Sequence, residues 1–353
     1  MAENLYLHFP FCRTRCSYCN LYSRAGLSVS ARESYVASLA ARIRSLPAPH
    51  SPIPNPQSPI PNPHSLIPTP QSRFTTVYFG GGSPALCDLR PVFEALRPSL
   101  APDAEFTVEL HPLDVTRELL DILEAGGVNR ISMGLQSLDD DILAHMNRGY
   151  TFNEAERAFY LVKERFDNAG IDLIVGYPGE TAALLPRHAR LAKWGLRHCS
   201  AYSLQNDRKL KDVIDDETVM NRIAVTAKFL ADLGLERYEI SNYAAPGYEC
   251  RHNLAVWRGE DYLGLGEGAA GRIGLDRTLD GKTVETVSPE LDRRERSIFR
   301  LRTREGLATD GFPEWIPILE EHLKNGLLVK TGGRYRLTAR GTEVCDAILA
   351  DLV

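Results

Sequence analysis

Cys12, Cys16 and Cys19 stand within eight residues, in Tyr6-Leu-His-Phe-Pro-Phe-Cys-Arg-Thr-Arg-Cys-Ser-Tyr-Cys-Asn20, with the spacing Cys-x3-Cys-x2-Cys. The next cysteine is Cys87. Three thiolates on one short loop can hold three irons of a cubane [4Fe–4S] cluster, where ordinary clusters use four cysteines. The fourth iron then stays open to another ligand, and an open position separates a reactive centre from a structural one. Zinc is the competing chemistry, but structural zinc loops repeat Cys-x2-Cys pairs and fill all four positions. Three of seven cysteines in eight residues of a 353-residue chain argue against coincidence. The cluster is the better reading.

Other residues with chemical potential lie farther along. Gly80-Gly81-Gly82-Ser83-Pro84 follows Thr76-Val-Tyr-Phe79; glycines at a strand end let the backbone approach a ligand and take positive φ. Glu109 ends an apolar run, and Gln136 closes Ser132-Met-Gly-Leu-Gln. Asp172 is flanked by Ile171, Leu173 and Ile174. Buried there, its carboxylate needs a polar partner, such as a ligand hydroxyl or a backbone amide.

These residues need a frame. Apolar runs of strand length fall at about 4–9, 75–80, 105–111, 129–135, 171–176 and 199–205. Helical patterns follow each, at about 31–46, 85–100, 116–126, 139–166 (broken near Gly149), 181–195 and 217–233. Such alternation predicts parallel strands with crossover helices, an α/β fold of partial (β/α)6-barrel type. Active residues gather at the C-terminal strand ends of such barrels, and the residues above fall at or near those ends.

The chain divides into a barrel core over 1–245, a glycine- and aromatic-rich segment over 246–289 that completes the site, and a C-terminal part over 290–353. In the last part, helices precede a hairpin around Gly332-Gly333, the pattern of a small winged-helix-like domain, read as an accessory lid. Residues 47–72 interrupt the core with three copies of a seven-residue unit and hold ten of the 22 prolines. A polyproline-like or disordered insertion is expected there, on the barrel face opposite the chemistry, where added loop length costs little.

The net charge of −5 gives no basic footprint for nucleic acid. Seven cysteines, an odd number, suit a reducing compartment better than a disulfide framework. No signal-peptide pattern opens the sequence, and no apolar run reaches the length of a membrane span. A cytoplasmic protein is expected.

The stretch from Tyr6 to Cys19 resembles the opening of radical S-adenosylmethionine (SAM) proteins, and within them the oxygen-independent coproporphyrinogen oxidase group with its haem-chaperone branch. The resemblance implies that the open iron takes the amino and carboxylate groups of SAM. It further implies SAM contacts from Gly81, Gly82, Ser83, Glu109, Gln136, Asp172 and Arg148, with Tyr6 and Tyr18 near the cluster. Pro246 to Trp257 and Tyr262 to Ala269 resemble chaperone-branch segments. That likeness makes Cys250 and His252 candidate haem ligands and gives Gly268 and Ala269 the task of leaving room for the adenine. Two departures point away from the decarboxylating oxidases: Leu21 stands where they carry a further cysteine, and only five residues precede Tyr6. Others weaken the haem half: Val256 replaces a tyrosine, Ala270 a frequent histidine, and Gln205 to Asp216 is short. Two functions remain open. One is haem binding and delivery to a receiving protein. The other is SAM-dependent oxidation of a porphyrinogen in porphyrin biosynthesis, with reduced flavodoxin or ferredoxin as electron donor.

Overall fold

The computed structural model describes residues 2–46, 74–180, 185–204 and 214–352. The proline-rich segment expected at 47–72, and most of the short stretch after Gln205, lie outside the described residues.

Six strands lie side by side in chain order, each parallel to the next: β1 (Asn4–Phe9), β2 (Phe74–Gly81), β3 (Leu100–Leu110), β4 (Arg130–Gln136), β5 (Ala169–Val175) and β6 (His198–Ser203). The helices between them are α1 (Val29–Arg44), α2 (Arg90–Leu96), α3 (Arg117–Ala125), α4 (Asp140–His145), α5 (Phe152–Lys163) and α6 (Leu185–Leu191), with α7 (Asp216–Asp232) after β6. The break expected near Gly149 separates α4 from α5. Asn147 (φ 60°) and Gly149 (φ 72°) both turn left-handed there, and a Thr151/Glu154 capping box restarts the helix.

Period two divides each strand into two faces. Leu5, Leu7, Phe9, Val77, Phe79, Phe106, Val108, Ile131, Met133 and Ile171 are buried in one core with the helices. The alternate residues are polar and face the lumen: Asn4, Tyr6, His8, Thr76, Tyr78, Glu105, Thr107, Glu109, Arg130, Ser132, Asp172, His198 and Ser200. Hydrogen bonds link these side chains between neighbouring strands, as from Thr76 to Asn4 (2.8 Å), Tyr78 to Glu109 (2.8 Å) and Ser132 to Asp172 (3.0 Å). A closed barrel fills its interior with branched apolar side chains; this one keeps a polar interior.

The sheet runs beyond the six strands. On one side β7 (Asn242–Ala244) pairs antiparallel with β6. On the other, β8 (Tyr262–Leu265) lies parallel to β1 and leads into an antiparallel meander of β9 (Ala270–Ile273), β10 (Asp276–Leu279) and β11 (Lys282–Thr286). The segment 246–289 thus holds one short helix, Arg251–Trp257, followed by four strands of the sheet. β8 is four residues long and carries Gly264, whose Cβ would lie 2.0 Å from the Ala270 carbonyl oxygen. Backbone contact, not side-chain pattern, makes that strand.

The C-terminal residues form α9 (Pro289–Ile298), α10 (Trp315–Lys324), the hairpin β12 (Leu328–Thr331) and β13 (Arg334–Leu337), and two short helices. Their own core includes Leu301, Phe312, Trp315, Leu319, Leu328 and Tyr335. Gly332 (φ 57°) and Gly333 (φ 75°) make the turn, as a two-residue hairpin with both central φ positive requires. Among the described residues no helix is long and apolar enough to cross a membrane.

Candidate functional site

Phe11–Cys12 pairs with Arg24–Ala25, so the cysteine loop leaves the end of β1 and returns beside it. All three cysteines are unbridged and half-buried. Among the described residues no three His, Cys, Asp or Glu side chains converge as a single-ion site. A cubane binds each thiolate at a different iron, so spaced donors on one loop suit it. Burial, followed by the neighbouring Cys19 and Cys16, pushes the Cys12 thiol up, while a hydrogen bond from Ser23 pulls it down.

The loop is seated on the turn after α4. Ser17 N–H donates to the Met146 carbonyl (3.3 Å) and Thr14 Oγ1 to that of Asn147 (3.4 Å). Asn147 Nδ2 donates to the Arg15 carbonyl (3.1 Å). Arg148, 8% exposed, donates to Cys16 Sγ (3.3 Å), the Tyr18 hydroxyl (3.4 Å), the Tyr150 hydroxyl (3.0 Å) and the Gly134 carbonyl (2.8 Å). Tyr18 packs with Ile142, Met146 and Tyr177.

The glycine segment lies on the other side of the loop. Gly82 N–H donates to the Phe9 carbonyl and Ser83 N–H to that of Phe11. A Cβ on Gly82 would fall 2.3 Å from the Phe11 oxygen and 2.9 Å from Cys12 Sγ, so only glycine fits. Gly81 (φ 106°) lies against the His8 ring. The Ser83 hydroxyl donates to Asp114 (2.5 Å), whose other oxygen accepts from Arg13 (2.6 Å). Asp114 therefore ties the glycine segment to the cysteine loop.

Glu109 and Asp172 face the lumen beneath this rim. Glu109 accepts from the Tyr78 hydroxyl (2.8 Å) and Gly81 N–H (3.2 Å). Burial, then the nearby Asp172 carboxylate, raises it to about 7. Asp172 is raised by burial as well, against the hydrogen bonds of Ser200 and Ser132. Gln136 takes φ 68° where the β4–β5 register shifts, and its amide folds over Gly134. A non-glycine residue in that region stores strain and is found at ligand sites. Tyr6 shares its hydroxyl with His8 Nδ1 (2.9 Å), and burial, then Glu109, holds the phenol protonated.

Cys12, Cys16, Cys19, Tyr18, Gly81, Gly82, Ser83, Glu109, Gln136 and Arg148 thus gather around the C-terminal strand ends, with Tyr6 and Asp172 below. Gly268 (φ 87°) has its open side against the Tyr22 side chain, and Ala269 is fully buried.

Cys250 and His252 lie elsewhere, at the N-terminal end of the strands. Both belong to the start of α8 (Arg251–Trp257) and are 0% and 5% exposed. His252 Nδ1 shares a proton with Thr76 Oγ1 (2.8 Å), and its backbone N–H donates to Glu105 (3.0 Å). Thr76 is five residues before Gly81, roughly 17 Å along the strand. Burial lowers the His252 imidazole to about 3 and raises the Cys250 thiol to about 12. Both side chains are part of the barrel floor, with the His252 ring packed near those of Tyr78 and Tyr6 (centroids 5.3 and 6.5 Å away).

Four positions carry the site without having been singled out by the sequence: His8, Asp114, Asn147 and Tyr177. For His8 the signal existed, since period two from Tyr6 puts it on the lumen face.

Residues 66–192 match the Radical SAM superfamily model. The cysteine loop precedes that span, beyond the proline-rich segment. Heme chaperone HemW of Mycobacterium tuberculosis (strain ATCC 25618 / H37Rv) is 32% identical, the alignment covering 99% of this chain and 94% of the relative. HemW of Bacillus subtilis (strain 168) is 28% identical over 99% and 100%. Among solved structures, coproporphyrinogen III oxidase (HemN) of Escherichia coli, a radical SAM enzyme, superposes with a TM-score of 0.78 at 20% identity over 99% of this chain and 89% of its own. That likeness is one of fold. With relatives aligned from end to end on a barrel that carries a three-cysteine loop at its strand ends, the chain belongs to the HemW family of radical SAM proteins.

Proposed function

We propose that the protein holds a [4Fe–4S] cluster on Cys12, Cys16 and Cys19, binds SAM at the open iron, and binds haem for delivery to a target protein. The observation that carries this reading is the loop of three unbridged cysteines clasped between Gly82 and Arg148, in a chain alignable from end to end with proteins named heme chaperone HemW.

When bound, the cluster and SAM supply one-electron reductive chemistry. The chain's own residues do the rest. Arg148 holds a guanidinium beside Cys16 for the carboxylate of the ligand. Gly81 and Gly82 leave the backbone bare for its amino group. Glu109 and Asp172 would offer carboxyl groups to a cationic ligand, and Gln136 an amide at the rim. A reduced flavodoxin or ferredoxin serves as electron donor, and the cytoplasm as compartment.

The alternative is oxygen-independent coproporphyrinogen oxidation, favoured by the shared fold with HemN and disfavoured by Leu21, exposed where the oxidases carry a further cysteine. One experiment separates them. Anaerobically reconstituted protein is mixed with haem in one tube and with coproporphyrinogen III, SAM and a reductant in another. A Soret shift without CO₂ release supports the carrier; CO₂ release from coproporphyrinogen overturns it.

A further inference from the structure

We propose that Asn147 and Tyr177 are positioning residues that seat the cysteine loop on the turn carrying Arg148, so that loop and arginine move as one body. The inference rests on the cluster reading and extends it to residues outside the cysteines and the ligand contacts.

Asn147 occupies a left-handed position at φ 60°. Glycine is the usual residue there, and asparagine is the side chain that tolerates it best. Here the asparagine is used: Nδ2 donates to the carbonyl of Arg15, the residue just before Cys16 (3.1 Å). The turn's own carbonyls face the same loop, with Met146 accepting from Ser17 N–H and Asn147 from Thr14 Oγ1.

Tyr177 closes the arrangement from a second element. It follows β5, is 5% exposed, and sets its hydroxyl 2.9 Å from Ser17 Oγ and 3.3 Å from the His145 carbonyl. Ser17 Oγ also reaches that carbonyl (3.1 Å). Two proton arrangements satisfy the three oxygens: either Ser17 or Tyr177 donates to the carbonyl, and the other donates to its fellow hydroxyl. Ser17 follows Cys16, so the bond grips the arc between its second and third cysteines. Without these ties the loop would keep the Arg13–Asp114 pair, the Ser17 N–H and Thr14 bonds to the turn and the Arg148–Cys16 contact, and residues 14–17 would gain freedom relative to the Arg148 guanidinium.

The test uses Asn147→Gly and Tyr177→Phe in the full chain. Glycine keeps the left-handed backbone and phenylalanine keeps the ring, so each change removes hydrogen bonds and little else. In metal-free protein, amide exchange over residues 12–20 is expected to rise about fivefold for each bond lost, with exchange in β1 to β6 unchanged. In reconstituted protein the midpoint potential is expected to rise as water reaches the cluster. The SAM-induced change in the reduced EPR spectrum is expected to need about fivefold more SAM. Wild-type exchange, potential and SAM response in both variants would overturn the proposal. Wild-type protein that takes up no iron would overturn the cluster reading instead, while the exchange data still decide the role of the two residues. If Tyr177→Phe unfolds, Asn147→Gly decides alone.

Discussion

The Arg148 guanidinium donates to the sulfur of Cys16 at 3.3 Å while its other nitrogens hold the Gly134 carbonyl and the Tyr150 hydroxyl. One side chain therefore spans the cluster loop and the end of β4. A lysine has a single ammonium and cannot reach these partners together. Arg148→Lys is expected to lower SAM affinity about 30-fold, close to 2 kcal/mol, with cluster iron retained. Equilibrium binding of labelled SAM to reconstituted protein checks this; unchanged affinity would limit Arg148 to holding the loop.

Replacing any one of Cys12, Cys16 or Cys19 by alanine should abolish the brown absorption of anaerobically reconstituted protein, with iron falling to the level of a blank. Full colour in all three variants rejects the cluster. The other four cysteines are buried, so Cys87→Ala serves as a control that keeps the colour.

Glu109 makes the metal-free protein pH-sensitive. Its folded value is raised from 4.5 to about 7, by burial first and the Asp172 carboxylate second, so the folded state holds a proton the unfolded chain releases. The stabilisation from that proton is complete below pH 4.5 and is lost as pH rises through 7, by at most about 3 kcal/mol. Asp172, raised as well, acts in the same direction. Glu109→Gln should flatten the profile and leave the variant more stable than wild type at pH 8. Thermal denaturation at pH 5 and pH 8 measures it. Parallel profiles for the two proteins would contradict the assignment.

His252 is expected to matter for stability. Truncation to alanine removes the bond to Thr76 and opens a cavity against Tyr78, whose ring centroid is 5.3 Å away. A loss of about 2–3 kcal/mol follows, read by denaturant unfolding. Haem titrated into the folded variant should give the wild-type Soret shift. A lost shift at full folding would put His252 at the iron.

Much of this was legible because the apolar period is strong. The six parallel strands and their helices follow from alternating runs such as Leu5-Leu7-Phe9 and Ile131-Met133-Leu135, and the cysteines from their spacing. β8 was not legible, since it is only four residues long and its Gly264 lies in backbone contact with Ala270 of the meander, which no side-chain pattern marks. The seating of the cysteine loop was hidden for a different reason. Ser17, Asn147 and Tyr177 are 30 to 160 residues apart, and nothing local marks them as neighbours. The floor position of Cys250 and His252 was likewise invisible, because resemblance identifies residue types but not which end of a strand they meet.

Both hydrogen-bonding rims that a complete barrel would zip together are already taken, β1 by β8 and β6 by β7. The cylinder therefore cannot shut, whatever occupies it. The first and last of the six parallel strands each carry a further strand instead of pairing with one another, so the sheet runs on outward at both sides, and that openness is written into the chain's connectivity.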